Sequence, residues 1–94
     1  MLITAVITTY ERLGLAKRAI TSILNQSHGE TEILVVEDGS ETGLYDWIKQ
    51  NIPTSIKYHN NETNKGLAAS RNWGINNATS EYIAFLDDDD EWHW

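Results

Sequence analysis

Cysteine is absent from the 94-residue chain, which excludes a disulfide framework and any thiolate metal site. Proline occurs once, at Pro53. Basic residues are scarce: 7 Lys and Arg stand against 14 Asp and Glu, a net charge of -7. A nucleic-acid binder needs a basic patch to neutralise phosphates, so that class is excluded. No apolar run approaches the ~20 residues that span a bilayer. The N-terminal Met1-Leu2-Ile3-Thr4-Ala5-Val6-Ile7 has no basic lead and no cleavage site, so a signal peptide is not expected and a cytoplasmic location is the default. Glycine is also missing where phosphate loops need it. There is no G-x-G-x-x-G after the first strand-like run and no G-x-x-x-x-G-K-[ST] anywhere, which argues against dinucleotide oxidoreductases and P-loop enzymes.

What remains is ordinary globular material for one domain, 40% hydrophobic and 22% charged. Leu2 to Thr8 reads as a strand apolar enough for burial on both faces. Glu11 to Gln26 places Leu15, Ala19, Ile20, Ile23 and Leu24 at helical spacing. Thr31 to Val36 is a second buried strand, ending at the turn Glu37-Asp38-Gly39-Ser40. Gly43 to Asn51, with Leu44, Trp47 and Ile48 on one face, is a short helix stopped by Pro53. Ser55 to His59 reads as a third strand, Leu67 to Asn77 as a third helix and Tyr82 to Leu86 as a fourth, buried strand. The order β-α-β-α-β-α-β predicts a mainly parallel sheet of about four strands in a three-layer, Rossmann-like α/β/α architecture.

The fourth strand runs without a break into Asp87-Asp88-Asp89-Asp90-Glu91, five of the 14 acids in the final eight residues. Such a block repels itself, and a hard divalent cation held by carboxylates is the most economical compensation. An acidic, solvated tail is the plain alternative. In an open α/β sheet, ligands sit at the carboxyl ends of the strands. Three strand ends therefore converge there: Thr8-Thr9-Tyr10, Glu37-Asp38-Gly39-Ser40 and the acidic run. Tyr10 offers a ring face for a base and Asp38 an acceptor. In Asn64-Lys65-Gly66-Leu67-Ala68-Ala69-Ser70-Arg71-Asn72, Gly66 suits a tight helix entry whose free N–H groups favour anions. Arg71 follows over the first turn, and Ala68, Ala69 and Ser70 permit close approach of helix to sheet. Each segment alone has a plain structural reading: strand-end packing, a common turn, a solvated arginine. For His28, His59 and His93 the solvated reading is favoured.

Five segments taken in order carry a resemblance. They are Val6-Ile7-Thr8-Thr9-Tyr10, Ala19 to Ser27, Val35-Val36-Glu37-Asp38-Gly39-Ser40, Asn64 to Asn72 and Tyr82 to Asp90. Together they cover nearly the whole chain, which resembles the N-terminal half of the family 2 glycosyltransferases, enzymes of GT-A fold that use nucleotide-sugar donors. The resemblance implies that residues 1–94 form the donor-binding part, with the acceptor-binding half absent. It implies Thr8 and Tyr10 in the nucleobase and ribose pocket, Asp38 hydrogen-bonded to the base, and Arg71 beside it. Asp87-Asp88-Asp89 looks like the family's D-x-D element. Asp89 would ligate Mn²⁺ or Mg²⁺ on the diphosphate, and Asp87 or Asp88 would contact ribose and the ion's water ligands. Asp90 would support them, and Asp87 is an alternative ligand. One departure is Glu37, where the family usually carries Asp; the charge is kept, and little consequence is expected.

The implied chemistry is inverting displacement at the anomeric carbon of a UDP- or GDP-sugar, with a glycan or lipid-linked acceptor. The cation acts as Lewis acid and template. The carboxylate base is expected in the second half, so no catalytic residue is assigned within these 94 residues. A non-catalytic nucleotide-binding or interaction module of the same fold is the competing expectation, with Trp92 and Trp94 as a self-association surface. A phosphoacceptor receiver domain needs acids after the first strand and an Asp ending the third. The chain has Thr8-Thr9-Tyr10 and His59-Asn60 there, which sets that reading aside.

Overall fold

A computed structural model describes residues 3–26, 31–39, 41–52, 56–80 and 82–87. Seven elements follow one another: β1 (Ile3–Thr9), α1 (Leu13–Gln26), β2 (Thr31–Glu37), α2 (Leu44–Asn51), β3 (Ile56–Asn60), α3 (Leu67–Asn77) and β4 (Tyr82–Asp87). The strands form one sheet in the order β3-β2-β1-β4, and every pairing is parallel. The expected three-layer α/β/α architecture is what the chain adopts. Among the described residues, no helix is long and apolar enough to cross a membrane.

Central strands β1 and β2 are buried on both faces, as their unbroken apolar runs require. One face presents Ala5, Ile7, Ile33 and Val35 to Ala16, Ala19, Ile20 and Ile23 of α1 and to Leu44 and Ile48 of α2. Full burial of each large aliphatic side chain is worth about 1.5–3 kcal/mol. Val6 turns to the other face and meets α3, so closely that a Cβ on Gly74 would lie 2.5 Å from Val6 Cγ1. Of Ala68, Ala69 and Ser70, expected to permit close helix–sheet approach, Ser70 is buried and Ala68 is exposed; Gly74 is the other buried residue of the helix. Helix α1 starts at Leu13 rather than at Glu11 because Glu11 has φ 53, a left-handed conformation no α-helix accommodates.

One expectation fails. Among the described residues strand β4 is an edge, bonded to β1 alone; Leu86 is buried, but Tyr82 and Phe85 are 53% and 39% exposed. Its apolar composition reads like that of β2, yet among the described residues it has one neighbouring strand where β2 has two.

Register aligns the carboxyl ends. Thr8 stands opposite Asp87, Thr9 opposite Glu37, and Glu37 opposite Asn60. The sheet grows outward from β1 in both directions, with α1 and α2 on one face and α3 on the other. The strand order therefore reverses at β1, the position where open α/β sheets leave a crevice.

Candidate functional site

A cleft of about 200 Å³ occupies that crevice, lined by Thr8, Thr9, Tyr10, Arg12, Asp38, Leu67, Ser70 and Asp87. Strand β1 contributes Thr8 and Thr9 from its carboxyl end, and Tyr10 lies just beyond it, 42% exposed. Asp38 enters from the end of β2, held in place by its N–H on the Thr9 carbonyl at 2.9 Å. Asp87 closes the opposite side from β4 and accepts a hydrogen bond from Thr8 Oγ1 at 3.2 Å. Thr8, Tyr10, Asp38 and Asp87, chosen from sequence, thus share one cavity.

Asp38 is only 8% exposed, and its carboxylate is engaged by the protein itself. Oδ1 accepts from Asn61 Nδ2 at 2.9 Å and from the Lys65 N–H at 2.7 Å. Oδ2 accepts from the Gly66 N–H at 2.9 Å. The helix entry at Gly66, expected to receive an anion, receives this one. Burial pushes the Asp38 carboxyl up, but the bonds from Asn61, Lys65 and Gly66, with the Lys65 charge, outweigh it and hold the group below the usual carboxylate range. Gly39 makes the same contact possible in backbone terms. Its φ is +77, and a Cβ there would lie 2.5 Å from Thr63 C and Asn64 N.

Arg71 does not line the cleft. Its Nη2 lies 3.6 Å from Asp87 Oδ1, and its guanidinium stacks 5.5 Å from the Phe85 ring centre. Arg71 Nε is buried and has no acceptor among the described residues. Arg71 therefore stands beside Asp87 on the β4 side. Asp88, Asp89 and Asp90 lie outside the described residues, as do His28, His93, Trp92 and Trp94.

Three residues escaped the sequence reading. Asn61, 7% exposed, joins Asp38 to Ser70 Oγ at 3.2 Å; the sequence shows it only as one polar loop residue among several. Arg12 reaches the cleft from the β1–α1 turn, and its nearness to Tyr10 in sequence is the signal that could have marked it. Nor is His59 merely solvated. Its ring stacks on Trp73 at 4.7 Å and 9°, and its Nε2 lies 3.1 Å from Asn61 Oδ1. Helix α3 and strand β3 are separate in sequence, so only folding reveals that stack.

Among the described residues, no three His, Cys, Asp or Glu converge on one point. Asp87 contributes hard oxygen donors at the cleft's edge, the donor type that suits Mg²⁺ or Mn²⁺, and three more aspartates follow it in sequence.

Residues 4–93 match the model of the family described as Glycosyl transferase family 2. The chain belongs to that family. An uncharacterized glycosyltransferase of Rickettsia conorii is 43% identical to this family 2 chain over 91 residues, covering 94% of the chain and 15% of the relative. Another from Nostoc sp. is 39% identical over 95 residues, covering 98% of the chain and 29% of the relative. The chain thus spans less than a third of either relative. The crystal structure of S. aureus TarS 1-349 in complex with UDP superimposes with a TM-score of 0.81 at 25% identity, over 95% of this chain and 28% of that one. These neighbours are glycosyltransferases of GT-A fold, and the four-stranded parallel layout described above is shared with them.

Proposed function

We propose that this chain supplies the donor-binding half of an inverting, metal-dependent glycosyltransferase, which transfers a sugar from a nucleoside-diphosphate sugar to a glycan or lipid-linked acceptor. The observation that carries the reading is the single cleft at the reversal of strand order, shared by Thr8, Tyr10, Asp38 and Asp87. Family membership supports the transfer chemistry, and the UDP bound to TarS supports the ligand class.

In this reading the Tyr10 ring packs on the base, and Thr8 closes the pocket beneath it. The Asp38 carboxylate holds the loop that leads into α3, whose Leu67 and Ser70 line the pocket, and meets the base across its remaining lone-pair sites. Asp87 and Asp88 orient the ribose, with Arg71 setting the direction of the Asp87 carboxylate. Asp89, with Asp87 as alternative, holds Mn²⁺ or Mg²⁺, and Asp90 supports it. When bound, that ion offsets charge growing on the departing diphosphate. The base that takes the acceptor's proton is assigned outside these 94 residues, and the site of action is cytoplasmic.

Calorimetry with UDP and GDP, with and without Mn²⁺, tests the proposal. Metal-enhanced binding that Asp89→Ala weakens at least tenfold is expected. Binding indifferent to both the metal and that substitution sinks the reading.

A further inference from the structure

Asp38 faces the cleft, but the residue before it points the other way. Successive side chains of a strand alternate between faces, and Glu37 follows Ile33 and Val35 onto the α1–α2 face of the sheet. There it is 1% exposed. Its Oε1 accepts from the Tyr58 hydroxyl at 2.5 Å, and its Oε2 from the Thr42 hydroxyl at 2.8 Å. Thr42 Oγ1 in turn accepts from the Leu44 N–H at 3.3 Å, at the start of α2. The carboxylate therefore grips strand β3 on one side and the entry of α2 on the other. A carboxylate buried this deeply demands hydrogen-bond donors, so its position is fixed by theirs.

The backbone of Glu37 is equally committed. It pairs in register with Thr9 and with Asn60, and its carbonyl accepts from the Asn61 N–H at 2.9 Å. Asn61 is the side chain that holds Asp38, and Thr9 lines the cleft. The lip of the cleft on this side is thus built on the peptide unit that Glu37 anchors from below.

We propose that Glu37 is a positioning residue of the nucleotide cleft: its buried carboxylate, gripped by the Tyr58 and Thr42 hydroxyls, fixes the backbone from which Thr9 and Asp38 face the ligand. The inference rests on the nucleotide-binding reading above. It gives Glu37 a consequence that its sequence position did not suggest.

Tyr58→Phe removes one donor and keeps the ring packed at 5.0 Å from Tyr45. Glu37→Gln keeps the shape and turns one acceptor into a donor. Ile23→Val, in the α1 core, serves as a control that lowers stability without touching the edge. Two quantities are measured on the full chain: the Kd for UDP and GDP with Mn²⁺, and amide exchange at Asp38 and Asn61 relative to Val6 and Leu34. For Tyr58→Phe and Glu37→Gln the expected result is affinity weaker by about tenfold, with selectively faster exchange at Asp38 and Asn61. Ile23→Val should shift exchange uniformly and leave the Kd unchanged. Should Glu37→Gln fail to fold, Tyr58→Phe carries the test. Wild-type affinity and protection in Tyr58→Phe overturn the proposal. If the wild-type chain binds neither nucleotide, the nucleotide reading fails on its own account, and exchange at Asp38 and Asn61 still decides whether Glu37 holds the lip.

Discussion

At Asp38 one carboxylate accepts three hydrogen bonds from the loop that precedes α3. Asp38→Asn replaces one acceptor with a donor and leaves a backbone N–H of Lys65 or Gly66 facing it. A buried donor deprived of its partner costs about 1–3 kcal/mol, and that loss is the expected result of chemical denaturation at pH 7. Gly39 is the second sensitive residue. Gly39→Ala meets both a φ of +77 and backbone atoms 2.5 Å away, so a destabilisation of roughly 1–3 kcal/mol is expected. An unchanged midpoint would show that the loop does not pack on this turn. The Asp-Gly pair was legible in the sequence as a turn at a strand's end. Its partners were not, because they lie more than twenty residues downstream and include two backbone amides, which no residue type advertises. Arg71 teaches the same lesson: its spacing from Gly66 was readable, but its contact with Asp87 depends on where β4 docks.

Helices α1 and α3 differ in how they tolerate substitution, and glycine separates them. Gly74 of α3 lies against Val6, where a Cβ would sit 2.5 Å from a methyl carbon. Gly74→Ala overpacks the α3–β1 contact and should lower stability by about 1–3 kcal/mol. Gly14 of α1 has nothing within 4 Å of a built Cβ, so Gly14→Ala should stabilise by about 0.5–1 kcal/mol through helix propensity. Thermal melts of the two variants should move in opposite directions. Element order and type were readable because hydrophobic period and turn residues are local signals. The edge position of β4 was not, since Tyr82-Ile83-Ala84-Phe85-Leu86 carries the composition of a central strand. Periodicity reports which side chains can be buried; the number of neighbouring strands depends on topology.

Across the whole molecule, the two ends of the sheet are secured differently. At the amino end Glu32 accepts from Thr4 Oγ1 at 2.9 Å and from the Thr79 N–H at 3.0 Å, and Lys57 Nζ lies 3.3 Å away. Burial pushes the Glu32 carboxyl up, but bonds from Thr79, Thr4 and Lys57 prevail and hold it below its ordinary value. Asp38 is depressed in the same sense at the carboxyl end. A carboxyl whose folded pKa lies below its unfolded pKa contributes stability that is complete above the unfolded value and lost as pH falls through the folded one. Stability should therefore hold from pH 7 to about 5 and decline below about 4, the unperturbed carboxylate range. In Asp38→Asn the decline should be shallower, which denaturation curves at pH 7, 5, 4 and 3 would reveal. Identical acid slopes for variant and wild type would remove Asp38 from the account.

The linear chain by itself determined the alternation of strands and helices and the collection of Thr8, Tyr10, Asp38 and Asp87 at one edge. Parallel strands joined by right-handed crossovers must bring their carboxyl ends together, whatever the side chains there go on to do. Tertiary structure alone decided that Asp38 is clamped by Asn61, Lys65 and Gly66, that Arg71 belongs to Asp87, and that Glu37 is sealed beneath the sheet with Tyr58 and Thr42. These outcomes depend on distances between segments remote in sequence. A buried carboxylate takes its donors from whichever segments packing brings within about 3 Å, and local pattern carries no record of that meeting.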